Sequence, residues 1–227
     1  YKKPRPYVPR YLRFEVDERV DFEGRILKAA DPAEITAIAQ ELKQEGVGAV
    51  AVCLLNSYAN PETEQLVGRV LAAELPEAEI TVSSALLKVW REYERTSTTV
   101  LNAYVKPASR LYVDTLKSTI KQLGLVEEPH AMQSNGGTAT FDRAKEIPIS
   151  LIESGPVGGV IGGAALGKII NEPNIITFDV GGTTAKTSLV SKGEVKITTE
   201  YKLEWTPRFA GYPVKSPVVD IIEIGAG

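Results

Sequence analysis

Cysteine, histidine and methionine each occur once in 227 residues, aromatic residues make up only 7%, and neither sign of charge dominates. One cysteine excludes an internal disulfide, and Cys53, inside the apolar run Val50–Leu55, reads as a buried, inert thiol suited to a reducing cytoplasm. With His130 as the sole histidine, no multi-histidine metal centre can be built from this chain, and a structural role is expected of that residue. No run approaches the ~18 apolar residues of a membrane span, and the N-terminus has no signal-peptide pattern. The 26 basic and 29 acidic residues are mixed along the chain, which argues against nucleic acid as a partner. What remains is 43% hydrophobic, enough for one large or two small globular domains. The chain opens at Tyr1 without a methionine and stops at Gly227 in a glycine-containing turn, so it reads as an excerpt from a longer protein.

Periodicity organises the first half. Pro4, Pro6 and Pro9 among basic residues suit an extended segment, and Leu12–Val16 and Arg25–Lys28 flank Asp21–Gly24 as a short hairpin. Asp31-Pro32 caps a helix running to Gly46, Val47–Leu55 is a strand apolar on both faces, Pro61 begins a second helix, and Ile80–Val82 is a further strand. Strand, helix, strand around such an inner run indicates a parallel sheet covered by helices. A long helical pattern extends from Ser84 to Gly124, with a kink or a fresh start expected at Pro107 and a solvated or salt-bridged face at Arg91, Glu92, Glu94 and Arg95. The run Thr96–Thr99 is unusual for a helix, because hydroxyl residues compete for backbone hydrogen bonds.

The second half carries glycine and polar residues at strand ends. His130–Gln133 closes in Ser134-Asn135-Gly136-Gly137, and Gln133, Ser134 and Asn135 could donate to a carbonyl or phosphate. Pro156 starts a helix rich in small residues, whose N-terminus at Ser154 and Gly155 could present N–H groups to an anion. Gly162–Lys168 imitates a P-loop, but Ile169 stands where Ser or Thr must hold Mg²⁺ and no strand feeds Gly162, so that reading fails. Ile175–Val190 is strand, tight turn, strand. Gly181 and Gly182 can take positive φ and let backbone N–H groups approach an anion, Thr183 and Thr184 add hydroxyls, and Asp179 is placed to orient a metal-bound water. A plain hairpin with β-favouring threonines accounts for the same residues. Glu194–Tyr201 reads as a strand, Trp205–Pro217 as a loop and Val218–Ile224 as the last strand, on which Asp220 and Glu223 face opposite sides.

The strings REYERTSTTVLNAYV (Arg91–Val105), MQSNGG (Met132–Gly137), SGPVGG (Ser154–Gly159), FDVGGTTAKTSL (Phe178–Leu189) and VDIIEIGAG (Val219–Gly227) resemble the A subunit of the ATP-dependent hydantoinase/oxoprolinase family. The resemblance implies an α/β protein with part of an actin/sugar-kinase/Hsp70-type, ribonuclease H-like ATPase fold. Residues 1–96 would be the C-terminal part of the N-terminal domain and 97–227 the start of the main domain. Asp179–Thr184 then looks like the second phosphate-binding hairpin, with the first phosphate loop upstream of Tyr1 and the adenine-binding segments beyond Gly227. ATP and Mg²⁺ are the implied cofactors: Gly181, Gly182, Thr183 and Thr184 on phosphate, and Asp179 as the catalytic group holding Mg²⁺ through water. Lys186 stands where many members have an acidic residue, which favours a direct cation contact with phosphate.

The implied activity is hydrolysis of a cyclic amide of hydantoin or 5-oxoproline type, the ring amide being activated by phosphorylation, with a hydantoinase B-type subunit or domain as partner. An ATP-dependent ketone carboxylase subunit is the second reading, and a nucleotide-binding module without chemistry the third. The 227 residues alone, holding half of a cleft, are expected to be inactive.

Overall fold

The computed structural model describes residues 5–182 and 184–225. The chain forms two compact units, one of residues 1–111 and 202–215, the other of 112–201 and 216–227.

In the first unit β1 (Arg19–Val20) and β2 (Ile26–Lys28) form the expected small hairpin. Helix α1 (Pro32–Gln44) starts where Asp31 accepts the Ala33 N–H with proline at the first turn. Strand β3 (Ala49–Val52), helix α2 (Glu62–Glu74) and strand β4 (Glu79–Val82) follow, and β3 pairs parallel with β4 as the alternation predicts. Ile35, Ala39 and Leu42 of α1 meet Val67 and Leu71 of α2 over Val52 in one apolar core.

The helix expected from Ser84 is interrupted: α3 (Ser83–Leu86) is a single turn, and α4 (Glu92–Gln122) begins six residues later. Leu87, extended at φ −154° and ψ 139°, ends α3, whose start is anchored by Glu64. Its carboxylate, fully buried, accepts the Ser83 hydroxyl (2.7 Å), the Ser84 N–H (2.8 Å) and the Leu54 N–H (2.8 Å), pinning the end of β4 and the segment after β3 to α2. No fresh helix starts at Pro107, because α4 runs on through it. Arg95 corrects the solvated-face expectation: it is fully buried, donating to the Leu54 (2.5 Å) and Val89 (3.1 Å) carbonyls that follow β3 and α3. Thr98 and Thr99 are buried too, their hydroxyls bonded one turn back to the Glu94 and Arg95 carbonyls at 2.7 Å. Thr98 also accepts the Lys215 N–H (2.9 Å). The threonine run thus lets polar side chains enter the packed face of a helix with their donors satisfied.

In the second unit β5 (His130–Met132) and β6 (Thr138–Thr140) form a hairpin, followed by α5 (Phe141–Glu146) and α6 (Ser154–Ile169). The discarded P-loop string lies within α6, as its missing strand required. Strands β7 (Ile175–Val180) and β8 (Thr184–Ser191) form the long antiparallel hairpin, and β9 (Glu194–Val195) pairs with β8. The single strand expected over Glu194–Tyr201 is broken into β9, β10 (Ile197–Thr198) and the start of β11 (Tyr201–Leu203). Within residues 202–215, which belong to the first unit, β12 (Tyr212–Val214) stands inside the expected loop and pairs with β11. The last strand also divides: β13 (Val218–Val219) pairs with β10, and β14 (Ile222–Gly225) pairs with β8. The sheet order is therefore β14-β8-β7, and α6 covers one face through Val157, Val160 and Ala164 against Val190 and Ile175.

Glycine sets how closely α6 approaches the sheet. A Cβ on Gly167 would lie 2.7 Å from the Glu172 carbonyl oxygen, in a turn closed by the Glu172 N–H on the Gly167 carbonyl (2.8 Å). Gly162, exposed on the same helix, meets nothing within 4 Å. Gly162→Ala should therefore stabilise by up to about 1 kcal/mol through helix propensity. Gly167→Ala should destabilise by ~1–3 kcal/mol, because a backbone atom must yield. Urea midpoints of the two variants check the opposite signs.

Candidate functional site

The site is built on the β7–β8 hairpin. Antiparallel register sets Asp179 opposite Lys186, and β14 sets Glu223 opposite Lys186 on its other side, so the three form a cross-strand row on one face. Alternation puts Thr177 and Thr184 on the same face, the one that α6 covers. A cavity opens there between the first turns of α6, at Pro156, Gly159 and Val160, and Thr177, Asp179, Lys186 and Thr187 of the hairpin.

Asp179 is exposed, and among the described residues none donates a hydrogen bond to its carboxylate. The Gly181 N–H bonds the Thr184 carbonyl (2.9 Å) and closes the turn. Neither Gly181 nor Gly182 adopts the positive φ expected of a hairpin glycine, and a Cβ on Gly182 would meet nothing within 4 Å. The backbone itself does not demand these glycines, and without side chains they leave the turn bare. Thr184 is half-buried at the head of β8, while Thr183 lies outside the described residues.

Lys186 is not free. Its ammonium is ion-paired with the Glu153 carboxylate and stands 3.6 Å from that of Glu223. Burial pulls its pKa down, but Glu153 and then Glu223 outweigh this and raise it above the ordinary lysine value. Beside them Tyr201 is pushed up to about 12, first by burial and then by the charges of Glu153 and Glu223. Glu153 and Tyr201 are members of the site that sequence reasoning did not single out. The signal for Glu153 was its place directly before SGPVGG; for Glu223, it was a register that sequence alone does not supply.

Glu153 is the N-cap of α6, held in the left-handed region (φ 58°, ψ 14°), and its carbonyl accepts the first helical bond from the Val157 N–H (3.0 Å). The N–H groups of Ser154 and exposed Gly155 precede that bond, as the anion reading requires. The MQSNGG string acts less directly than expected. Ser134 is a correction: it is buried, and its hydroxyl is committed to the Ser150 (2.7 Å) and Ile152 (2.5 Å) carbonyls, so it positions the loop that delivers Glu153. Gln133 donates to the Ser150 hydroxyl (3.3 Å), and Asn135 accepts the Gly137 N–H (2.9 Å) in a local turn. His130 is exposed, its Nδ1 3.0 Å from the Glu128 carbonyl, and half-buried Cys53 accepts a contact from the Thr96 hydroxyl (2.9 Å). Among the described residues no three or more His, Cys, Asp or Glu side chains are grouped to hold a metal, and no helix is long and apolar enough to cross a membrane.

Residues 95–227 match the family model described as hydantoinase/oxoprolinase, and residues 1–75 match that of the hydantoinase/oxoprolinase N-terminal region. The chain belongs to the hydantoinase/oxoprolinase family. It is 35% identical to the uncharacterized protein MJ0964 of Methanocaldococcus jannaschii, covering 100% of this chain and 34% of that protein. It is 30% identical to the caprolactamase subunit alpha of Pseudomonas jessenii, covering 97% and 31%. It is also 30% identical to the acetone carboxylase beta subunit of Xanthobacter autotrophicus, covering 98% and 30%. The fold is similar to the nucleotide-free structure of acetone carboxylase (TM-score 0.87, 30% identity, 99% of this chain and 31% of that one). It is equally similar to the ATP-dependent caprolactamase of Pseudomonas jessenii (TM-score 0.86, 30% identity, 100% and 32%). The chain spans about a third of the length of these relatives.

Proposed function

We propose that this hydantoinase/oxoprolinase-family chain carries one phosphate-binding side of the nucleotide site of an ATP-dependent enzyme that opens a cyclic amide, with an actin/sugar-kinase/Hsp70-type ATPase fold. The observation that carries the reading is the bare turn at Gly181-Gly182 beside an Asp179 carboxylate that has no partner among the described residues and lines a cavity with Pro156 and Gly159 of α6.

The residues fit a nucleotide with Mg²⁺. Backbone N–H groups at Gly182, Ser154 and Gly155 and the Thr184 hydroxyl would donate to phosphate oxygens, with the Thr183 hydroxyl as a further donor by the same reading. Asp179 holds the hydrated cation at one carboxylate, which suits an ion that keeps its waters and shares the phosphates rather than entering an all-protein cage. The nucleotide would supply a phosphoryl group to the ring amide oxygen, leaving ADP and making the amide carbon electrophilic enough for water to attack and the ring C–N bond to break with the nitrogen leaving as the amine. This chain's residues would position and neutralise the transferring phosphate. By the same reading residues 1–96 and 97–227 belong to successive domains, the protein works in the cytoplasm, and a B-type subunit or domain is its partner. The naming of relatives as subunits supports a partner subunit of some kind.

The likeness to acetone carboxylase supports a second reading, in which the same phosphate chemistry activates a ketone for carboxylation. Assay of the full-length chain with its partner separates the two. Phosphate release stimulated by a hydantoin, 5-oxoproline or a lactam supports ring opening. Stimulation only by a ketone with bicarbonate supports carboxylation and overturns the first reading.

A further inference from the structure

We propose that Glu153 is a positioning residue that occupies Lys186 until a nucleotide phosphate displaces it, so that the Glu153–Lys186 pair sets how tightly the site takes its nucleotide. The inference rests on the phosphate reading of the hairpin and goes beyond it by naming an internal competitor for the ligand.

Three observations carry it. First, Lys186 is the only cation in the cross-strand row, while Asp179 and Glu223 beside it in the row and Glu153 paired with it supply three carboxylates, so the charge around Lys186 is net negative. An uncompensated triphosphate is repelled there, and a lysine held by carboxylates cannot compensate it. Second, Glu153 is held in the left-handed region, which costs a residue with a Cβ roughly 1 kcal/mol or more and is normally left to glycine or asparagine. The αL backbone cannot be ascribed to capping, since the Glu153 side chain makes no cap bond; its carboxylate is spent on Lys186. The Ser134 contacts to Ser150 and Ile152 hold the preceding loop. Third, Lys186 sits two residues along β8 from Thr184, a distance of roughly 7 Å that its four-carbon stem can cover. Exchange of partners therefore needs rotation of one side chain and no change in the sheet.

The alternative is that the pair only fastens α6 to β8. Affinity of the full-length chain for a non-hydrolysable ATP analogue with Mg²⁺, measured by calorimetry beside thermal unfolding, decides between them. With Lys186 in competition, Glu153→Gln tightens binding about tenfold, the worth of one hydrogen bond to a charged group, and Lys186→Met weakens it by a similar factor. Glu153→Gln then gives no tightening in the Lys186→Met background. A purely fastening pair gives lower melting temperatures and unchanged or weaker binding in both single variants, which overturns the proposal. Equal tightening in both backgrounds assigns the effect to repulsion alone and also overturns it. If Glu153→Gln does not fold, Glu223→Gln leaves α6 untouched and should show a smaller tightening with the same dependence on Lys186. Wild-type chain that binds the analogue while neither variant changes affinity refutes only the latch; wild-type chain that binds no nucleotide refutes the phosphate reading as well.

Discussion

Asp179→Ala in the full-length protein should lower ATP turnover by roughly two to three orders of magnitude, the cost typical of removing one preorganised electrostatic group from a transition state. The melting temperature should hardly move. Asp179 is exposed at the end of β7 and has no partner among the described residues, so its loss leaves no buried donor stranded. Neighbouring Lys186 has two other carboxylates to pair with. Asp179→Asn should lie between, since an amide can still orient water but does not neutralise a divalent cation. A large loss of turnover with unchanged stability is the signature of a group placed for a ligand and not for the fold. Unchanged turnover would remove Asp179 from the site.

Glu64→Ala has the opposite signature. The carboxylate is fully buried and takes three donors, the Leu54 and Ser84 N–H groups and the Ser83 hydroxyl. Alanine removes the acceptor of the Leu54 and Ser84 N–H groups and leaves the Ser83 hydroxyl with the Ser57 hydroxyl, 3.4 Å away. A loss of about 3–5 kcal/mol is expected, the range for breaking a buried charged network by removing one member. Against a typical stability of ~5–15 kcal/mol this removes a large share of the fold's margin. Glu64→Gln should lose less, because one oxygen still accepts while the amide opposes one donor. Urea denaturation followed by far-UV circular dichroism reads the change, and a loss below ~1 kcal/mol would mean that the first unit does not depend on this carboxylate.

How far the sequence disclosed these two sites follows from their physics. Periods of 3.6 and 2.0 residues are visible in a string, so α1, α2, β3 and β4 and their parallel pairing could be read, as could the β7–β8 hairpin from its apolar runs and paired glycines. A buried charge has no such period. Glu64 and Arg95 look like surface residues of amphipathic helices, and only the tertiary fold shows that they serve the chain ends of β3 and β4. The threonines of α4 were the one local warning, since a helix places hydroxyls at consecutive positions only where packing needs small side chains with their own acceptors.

The same limit applied to the candidate site. Asp179 and the glycine turn are contiguous in sequence and legible there, whereas Glu153, Lys186 and Glu223 lie on three elements, Glu223 brought to Lys186 by the register of β14 on β8 and Glu153 by the packing of α6 on the sheet. Ser134 shows the converse error. A polar residue at a strand end resembles a ligand donor until the loop at Ser150–Ile152 is seen to take its hydroxyl. The two glycines of the turn do not need a left-handed backbone, so their conformational freedom, the property most easily inferred from sequence, is not what the fold uses them for.

A crystal of the full-length chain grown with Mg²⁺ and a non-hydrolysable ATP analogue tests the central claim most directly. Phosphate oxygens should lie about 2.7–3.1 Å from the Gly182 N–H, with a cation-bound water on the Asp179 carboxylate. Phosphates bound elsewhere, with the Gly181-Gly182 turn and Asp179 packed against protein alone, would contradict it.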